Sequence, residues 1–152
     1  MQRAIFIAMT LIVAVMLVSR GCASGNTVTS PDEALKMLSG DWVLKQLGGK
    51  DVSAMLGKDT RPPTMSFAND GRVSGFTGVN RYTSTVDVDR LAKSGFKLDG
   101  IASTRMAGPP EAMDLESKFT QALQEATGFK LDGGNLNLTK GTETLLKFAR
   151  GG

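Results

Sequence analysis

The segment 110–126 limits what this chain can fold into more than any other. Leu115, Phe119, Ala122, Leu123 and Ala126 recur at i, i+4, i+7, i+8 and i+11, which draws one apolar stripe down an α-helix. Pro109-Pro110 opens the segment, Glu111, Asp114 and Glu116 sit near the positive end of its dipole, and Gly128 lies just past its end. The stripe has to be covered, and the stretches on both sides of it read as short strands. The helix therefore lies on a sheet made by the segments before and after it.

The strand candidates are joined by tight turns, which favours antiparallel pairing. In Trp42 to Leu47, alternation puts Trp42, Leu44 and Gln46 on one face and Val43 and Leu47 on the other, before Gly48-Gly49 turns the chain. Residues 51–61 read mainly as loop. Thr64 to Ala68 and Arg72 to Phe76 flank Asn69-Asp70-Gly71, a hairpin signal. Arg81 to Val88 alternates Tyr82, Ser84, Val86 and Val88 on one side. Phe96 to Leu98 and Ile101 to Ser103 flank Asp99-Gly100 and read as a further hairpin, and Phe129 to Phe148 reads as a terminal meander. Ahead of the first strand, Pro31 opens a short helix with Asp32 and Glu33 in its first turn, an apolar face of Ala34, Leu35 and Leu38, and Gly40 at its end. The expected fold class is α+β: a curved, mostly antiparallel sheet, an open or cracked barrel, packed by one amphipathic helix inserted between strands.

The N-terminal part is different in kind. Arg3 precedes Ala4 to Val18, a stretch whose only distinctly polar member is Thr10. A helix of that length reaches only ~22 Å, against a bilayer core of ~30 Å, so residues 1–21 read as an export signal. Residues 22–30, small and polar, read as a tether, and residues 31–152 as the folded domain. Ser19-Arg20-Gly21-Cys22-Ala23 resembles a bacterial lipoprotein cleavage box, with Ser19 and Arg20 standing where that pattern usually has Leu and a small residue. The resemblance implies acylation of Cys22, a membrane attachment through those acyl chains, and an outer-membrane lipoprotein facing the periplasm. Ordinary cleavage after Ala23, giving a soluble periplasmic chain, and an uncleaved anchor are the alternatives.

Composition removes several function classes. Without Arg3 and Arg20 the basic residues fall from 18 to 16 against 15 acidic ones, so the domain lacks the basic footprint of a nucleic-acid binder. No histidine is present, which excludes His-based triads, general bases and metal ligands. Cys22 is the one cysteine, so no disulfide forms within the chain. No phosphate-binding loop, dinucleotide fingerprint or calcium loop occurs. The expectation is no catalytic residue, no metal and no cofactor; hydrolysis by carboxylates or a Ser–Lys pair stays formally open, with no pair singled out.

Three stretches together resemble the META domain family, also called HslJ-like. Leu38-Ser39-Gly40-Asp41-Trp42 is similar to its opening strand. Gly75-Phe76-Thr77-Gly78-Val79-Asn80-Arg81-Tyr82 resembles its G-F-x-G-C-N-R-Y signature. Ala102-Ser103-Thr104-Arg105-Met106-Ala107-Gly108-Pro109 resembles its A-S-T-R-M-A-C-P segment. The likeness spans about residues 38–149. Many members carry cysteines where this chain has Val79 and Gly108, which implies that those two positions approach each other. The resemblance also implies a non-catalytic envelope module, since some members are linked to heat response, antibiotic tolerance or virulence, and the fold is similar to lipid-binding pilot proteins. An envelope protein or an apolar ligand is the expected partner, and a small lipid carrier is a further alternative. Asn80, Arg81 and Arg105 lie in the signatures and are the candidate surface or ligand-facing residues; the two arginines are expected to pair with carboxylates such as Glu116 or to face a ligand.

Overall fold

The structure, a computed structural model, describes residues 30–152. The expected signal, Cys22 and nearly all of the tether lie outside the described residues. Among the described residues no helix is long and apolar enough to cross a membrane.

Helix α1 spans Pro31–Leu38; the Ser30 hydroxyl accepts from the Glu33 N–H at 3.2 Å, and Pro31 takes the first turn. It ends where Gly40 suggests: the Ser39 N–H closes on the Leu35 carbonyl at 2.7 Å, and Gly40, at φ +112°, leaves the helix and opens strand β1, Gly40–Leu47. Gly48-Gly49 turns into β2, Lys50–Asp51, and a 3₁₀ turn follows at Val52–Met55. Strands β3, Thr64–Phe67, and β4, Arg72–Phe76, form the expected hairpin. Then come β5, Arg81–Val86, the short helix α2, Val88–Leu91, β6, Leu98–Ser103, and helix α3, Pro110–Glu125. Strands β7, Gly128–Asp132, β8, Asn135–Lys140, and β9, Glu143–Arg150, complete the chain.

All strands pair antiparallel in the order β6-β5-β4-β3-β1-β9-β8-β7, with β2 beside β1. The sheet is a curled half-barrel, and the fold is α+β with α3 inserted between strands, as the pattern predicts. Its two ends meet at one place. Gly95 bridges Gly128, the Phe96 N–H donates to the Thr127 carbonyl at 2.9 Å, and the Phe129 N–H donates to the Ser94 carbonyl at 3.3 Å. These bonds join the loop ahead of β6 to the start of β7, so the outer strands are not left as fully open edges.

α3 lies across the end of the barrel where β1 finishes, with Ala112, Leu115, Phe119 and Leu123 buried as the stripe requires. Phe119 is the hinge of the core. It meets the Tyr82 ring of β5 at 6.1 Å and the Phe148 ring of β9 at 6.3 Å, both edge-to-face. Burying one such side chain contributes about 1.5–3 kcal/mol. α1 packs against α2 at the other end, where β1 begins.

Three local expectations need correction. A β-bulge between Leu44 and Gln46 shifts the register of β1 against β9, so Leu47 joins Trp42 and Leu44 in the core and Gln46 turns outward. β5 stops at Val86, because Asp87 caps the Arg90 N–H and starts α2, which takes Val88 out of the strand. Asp99-Gly100 is no hairpin: β6 runs straight through it against β5, and Gly100 at φ +64° absorbs an extra residue as a bulge.

Candidate functional site

The two signature segments meet at the N-terminal half of α3. Thr77, Gly78, Val79 and Asn80 form the turn between β4 and β5, and the Thr77 and Asn80 backbones close it with a 2.8 Å bond. The Asn80 N–H donates to the Thr77 hydroxyl at 2.9 Å, and that hydroxyl donates to the Asn80 carbonyl at 3.0 Å. This rigid turn aims the Asn80 side chain inward, where it is only 4% exposed.

Every polar atom of that side chain is used. Oδ1 accepts from the Thr104 hydroxyl at 2.8 Å and from the Met106 N–H at 2.7 Å. Nδ2 donates to the Met106 carbonyl at 3.2 Å and to the Glu116 carboxylate at 3.1 and 3.0 Å. Asn80 thus ties the β4–β5 turn, the loop after β6 and α3 together. It stands buried with its side chain fully hydrogen-bonded, and it takes the carboxylate expected for the arginines. Among the described residues neither Arg81 nor Arg105 forms an ion pair. Both are exposed, Arg81 on the outer face of β5 and Arg105 in the loop after β6.

Two glycines make this assembly possible. A Cβ on Gly75 would collide with the Thr64 carbonyl oxygen and stand 2.8 Å from the Tyr82 hydroxyl. The missing side chain lets Tyr82, opposite it on β5, lie across β4 and donate to the Thr64 carbonyl at 3.1 Å. Burial pushes the Tyr82 hydroxyl well above its ordinary pKa. Gly75 keeps regular register with Met65 and Tyr82, so its bare backbone serves close packing. Gly108 sits against Val79, and a Cβ on it would lie 3.5 Å from the Val79 Cβ. That separation is at the near end of the disulfide range of ~3.5–4.5 Å, so the approach implied by the family likeness is present.

Arg150 is a residue that sequence reasoning passed over. Its guanidinium lies 4.5 Å from the Trp42 ring centre and donates to the Ser39 and Met37 carbonyls at 2.7 and 3.0 Å. It caps the negative end of α1. Trp42 is buried, with its indole N–H donating to the Leu38 carbonyl at 2.8 Å. No metal-ligand cluster occurs among the described residues, and every buried side-chain nitrogen or oxygen there has a partner.

Two concave surfaces stand out among the described residues. One, of about 300 Å³, lies between α3 and the end of β1, floored by Leu47, Met55, Ala122 and Leu145 and rimmed by Lys50, Lys118, Gln121 and Glu125. Lys118 is paired with Asp114 at 2.6 Å, and Glu125 with Lys140 at 2.9 Å. The other lies on the outer face of β3, β4 and β5.

Among solved structures, a protein from Burkholderia xenovorans determined by NMR is similar at a TM-score of 0.56 and 23% identity, over 79% of this chain and 88% of that one. A DUF4847-family protein from Bacteroides vulgatus is similar at a TM-score of 0.48 and 17% identity, over 75% of this chain and 94% of that one. At these identities the first likeness speaks for the fold alone. No curated protein matches. The family profile of the META domain matches residues 34–151. That span takes in β1, both signature turns and the helix they are fastened to, so the chain belongs to the META domain family.

Proposed function

We propose that this protein is a non-catalytic envelope lipoprotein, held to the membrane through acylated Cys22, whose META domain binds an apolar group in the groove between α3 and β1. The observation that carries the reading is the groove: Leu47, Met55, Ala122 and Leu145 make an apolar floor at the mouth of the half-barrel, inside a charged rim. Its volume, about 300 Å³, is at the small end of what ligand sites use. The polar groups at the signature support a binding role over a chemical one. Asn80, Thr104 and Glu116 are spent on one another, and the Tyr82 hydroxyl is spent on the Thr64 carbonyl. Glu125 is held below its ordinary pKa, chiefly by the Lys140 ammonium that hydrogen-bonds it, which keeps it ionised and paired.

Mass spectrometry of the full chain extracted from membranes in mild detergent tests both halves of the proposal. The expected result is an N-terminal diacylglyceryl cysteine at position 22, and an apolar species that leaves with the protein and is lost in Ala122→Trp, which fills the groove. A mature chain starting beyond Cys22 would remove the anchor. Equal retention of that species by Ala122→Trp would remove the groove.

A further inference from the structure

The groove on the outer face of β3, β4 and β5 has a different chemistry, and we infer that it is a site for a phosphate group. Its volume is about 380 Å³. Phe76 stands at its centre, opposite Thr64 on β3 and opposite Arg81 on β5. The Arg61 guanidinium lies over the Phe76 ring, 5.2 Å from its centre. One row along, Ser74 faces Thr83 across the same strand pair, and both line the groove. One guanidinium thus lies over the ring and a second arginine, Arg81, stands next to it in register and lines the same groove. Hydroxyl side chains from Thr64, Ser74 and Thr83 complete the wall; the Thr64 oxygen accepts from the Phe76 N–H at 3.2 Å and keeps its own proton to donate.

Charge decides what such a wall takes. The neighbouring outer-face arginine, Arg72, is neutralised by Asp70 at 2.7 Å, Arg90 by Asp87 at 3.1 Å, and Arg150 is committed to Trp42 and the end of α1. Arg61 and Arg81 have no carboxylate partner among the described residues, and no Asp or Glu lines the groove. Two unneutralised guanidinium forks beside hydroxyl donors match a phosphate, which accepts several charge-assisted hydrogen bonds at once. The ring under Arg61 limits the arcs that guanidinium can sweep, which lowers the ordering cost of binding. The phosphate can belong to a free anion or to a lipid headgroup. This site shares no lining residue with the apolar groove and does not rest on it.

The test uses the full-length chain in non-ionic detergent at low salt. One arm titrates inorganic phosphate, the other dopes the micelles with phosphatidylglycerol, and the amide resonances of Ser74, Gly75 and Phe76 report binding. Saturable shifts with inorganic phosphate assign the site to free anions. Saturable shifts with phosphatidylglycerol alone assign it to a headgroup. Arg61→Gln with Arg81→Gln is expected to weaken the responding titration by about tenfold or more, Arg81→Gln alone by about threefold, and Arg72→Gln by less than about twofold. All three side chains changed are exposed, and an unchanged melting curve confirms folding. Silence of those amides in both arms overturns the inference, and so does a loss in Arg72→Gln equal to that of the double variant.

Discussion

Asn80 carries more of the architecture than its size suggests, because the groups it joins come from three separate parts of the chain. Asn80→Ala leaves the Met106 N–H and the Glu116 carboxylate without their partner in a site that water reaches poorly. The expected loss is about 2–3 kcal/mol of unfolding free energy, read from a urea titration. Asn80→Asp should be worse still, since it sets a second carboxylate against Glu116. A loss under about 0.5 kcal/mol in both would mean the bonds are replaced by water. The sequence placed Asn80 in a signature turn but offered no sign of its partners, which lie 24 to 36 residues further along. Arg81 and Arg105 carried the same signal and stand exposed to solvent. A motif marks a position, and only the folded chain tells which side of the sheet that position faces.

At the scale of elements, alternation and turn chemistry were legible wherever one face of a strand is buried and the other wet. The α3 stripe follows from periodicity, and the β3–β4 hairpin and the terminal meander from periodicity together with their turn residues. What escaped were the irregularities. The bulge after Leu44 has no residue signature, and it swaps the faces of Gln46 and Leu47. Asp99-Gly100 has the chemistry of a turn, yet its neighbours β5 and β6 extend past it and convert the turn residue into a bulge. The contact between the β4–β5 turn and the loop before α3 came from family likeness, and it gives a direct prediction. Val79→Cys with Gly108→Cys should crosslink under mild oxidation, seen as a gel shift reversed by reductant, and should raise stability by about 2–4 kcal/mol. Gly108 gains a Cβ 2.9 Å from the Val79 methyls, so the cysteine at 79 must be present for the one at 108 to fit. A folded double variant that keeps both thiols free would show that the two loops do not hold this approach in solution.

For the whole molecule, the absence of histidine sets the pH response. Stability should be flat from about pH 6 to pH 9, where few other side chains titrate. Asp51 is held low by the Ser53 hydroxyl and N–H, Asp70 by the Arg72 N–H, and Glu125 by Lys140. Their lowered values give stability that is complete above about pH 4.5 and drains as pH falls through the folded-state values. Tyr82 and Lys140 are shifted upward, the first by burial and the second by the Glu125 hydrogen bond. Above about pH 10 the unfolded chain sheds these protons before the folded one does, so stability declines again. Thermal midpoints from pH 2 to 12 check this, and Tyr82→Phe should flatten the alkaline limb; a transition centred near neutrality would contradict it. The clasp between Arg150 and the end of α1 has a mechanical consequence. A pull arriving ahead of Ser30 is led through α1 into β1, which is flanked on both sides by β3 and β9, and the last residues of the chain grip that same junction. Traction from the N-terminal side therefore reaches a central strand held by a hydrogen-bond ladder on each flank, and not an outer strand that could be peeled away one rung at a time.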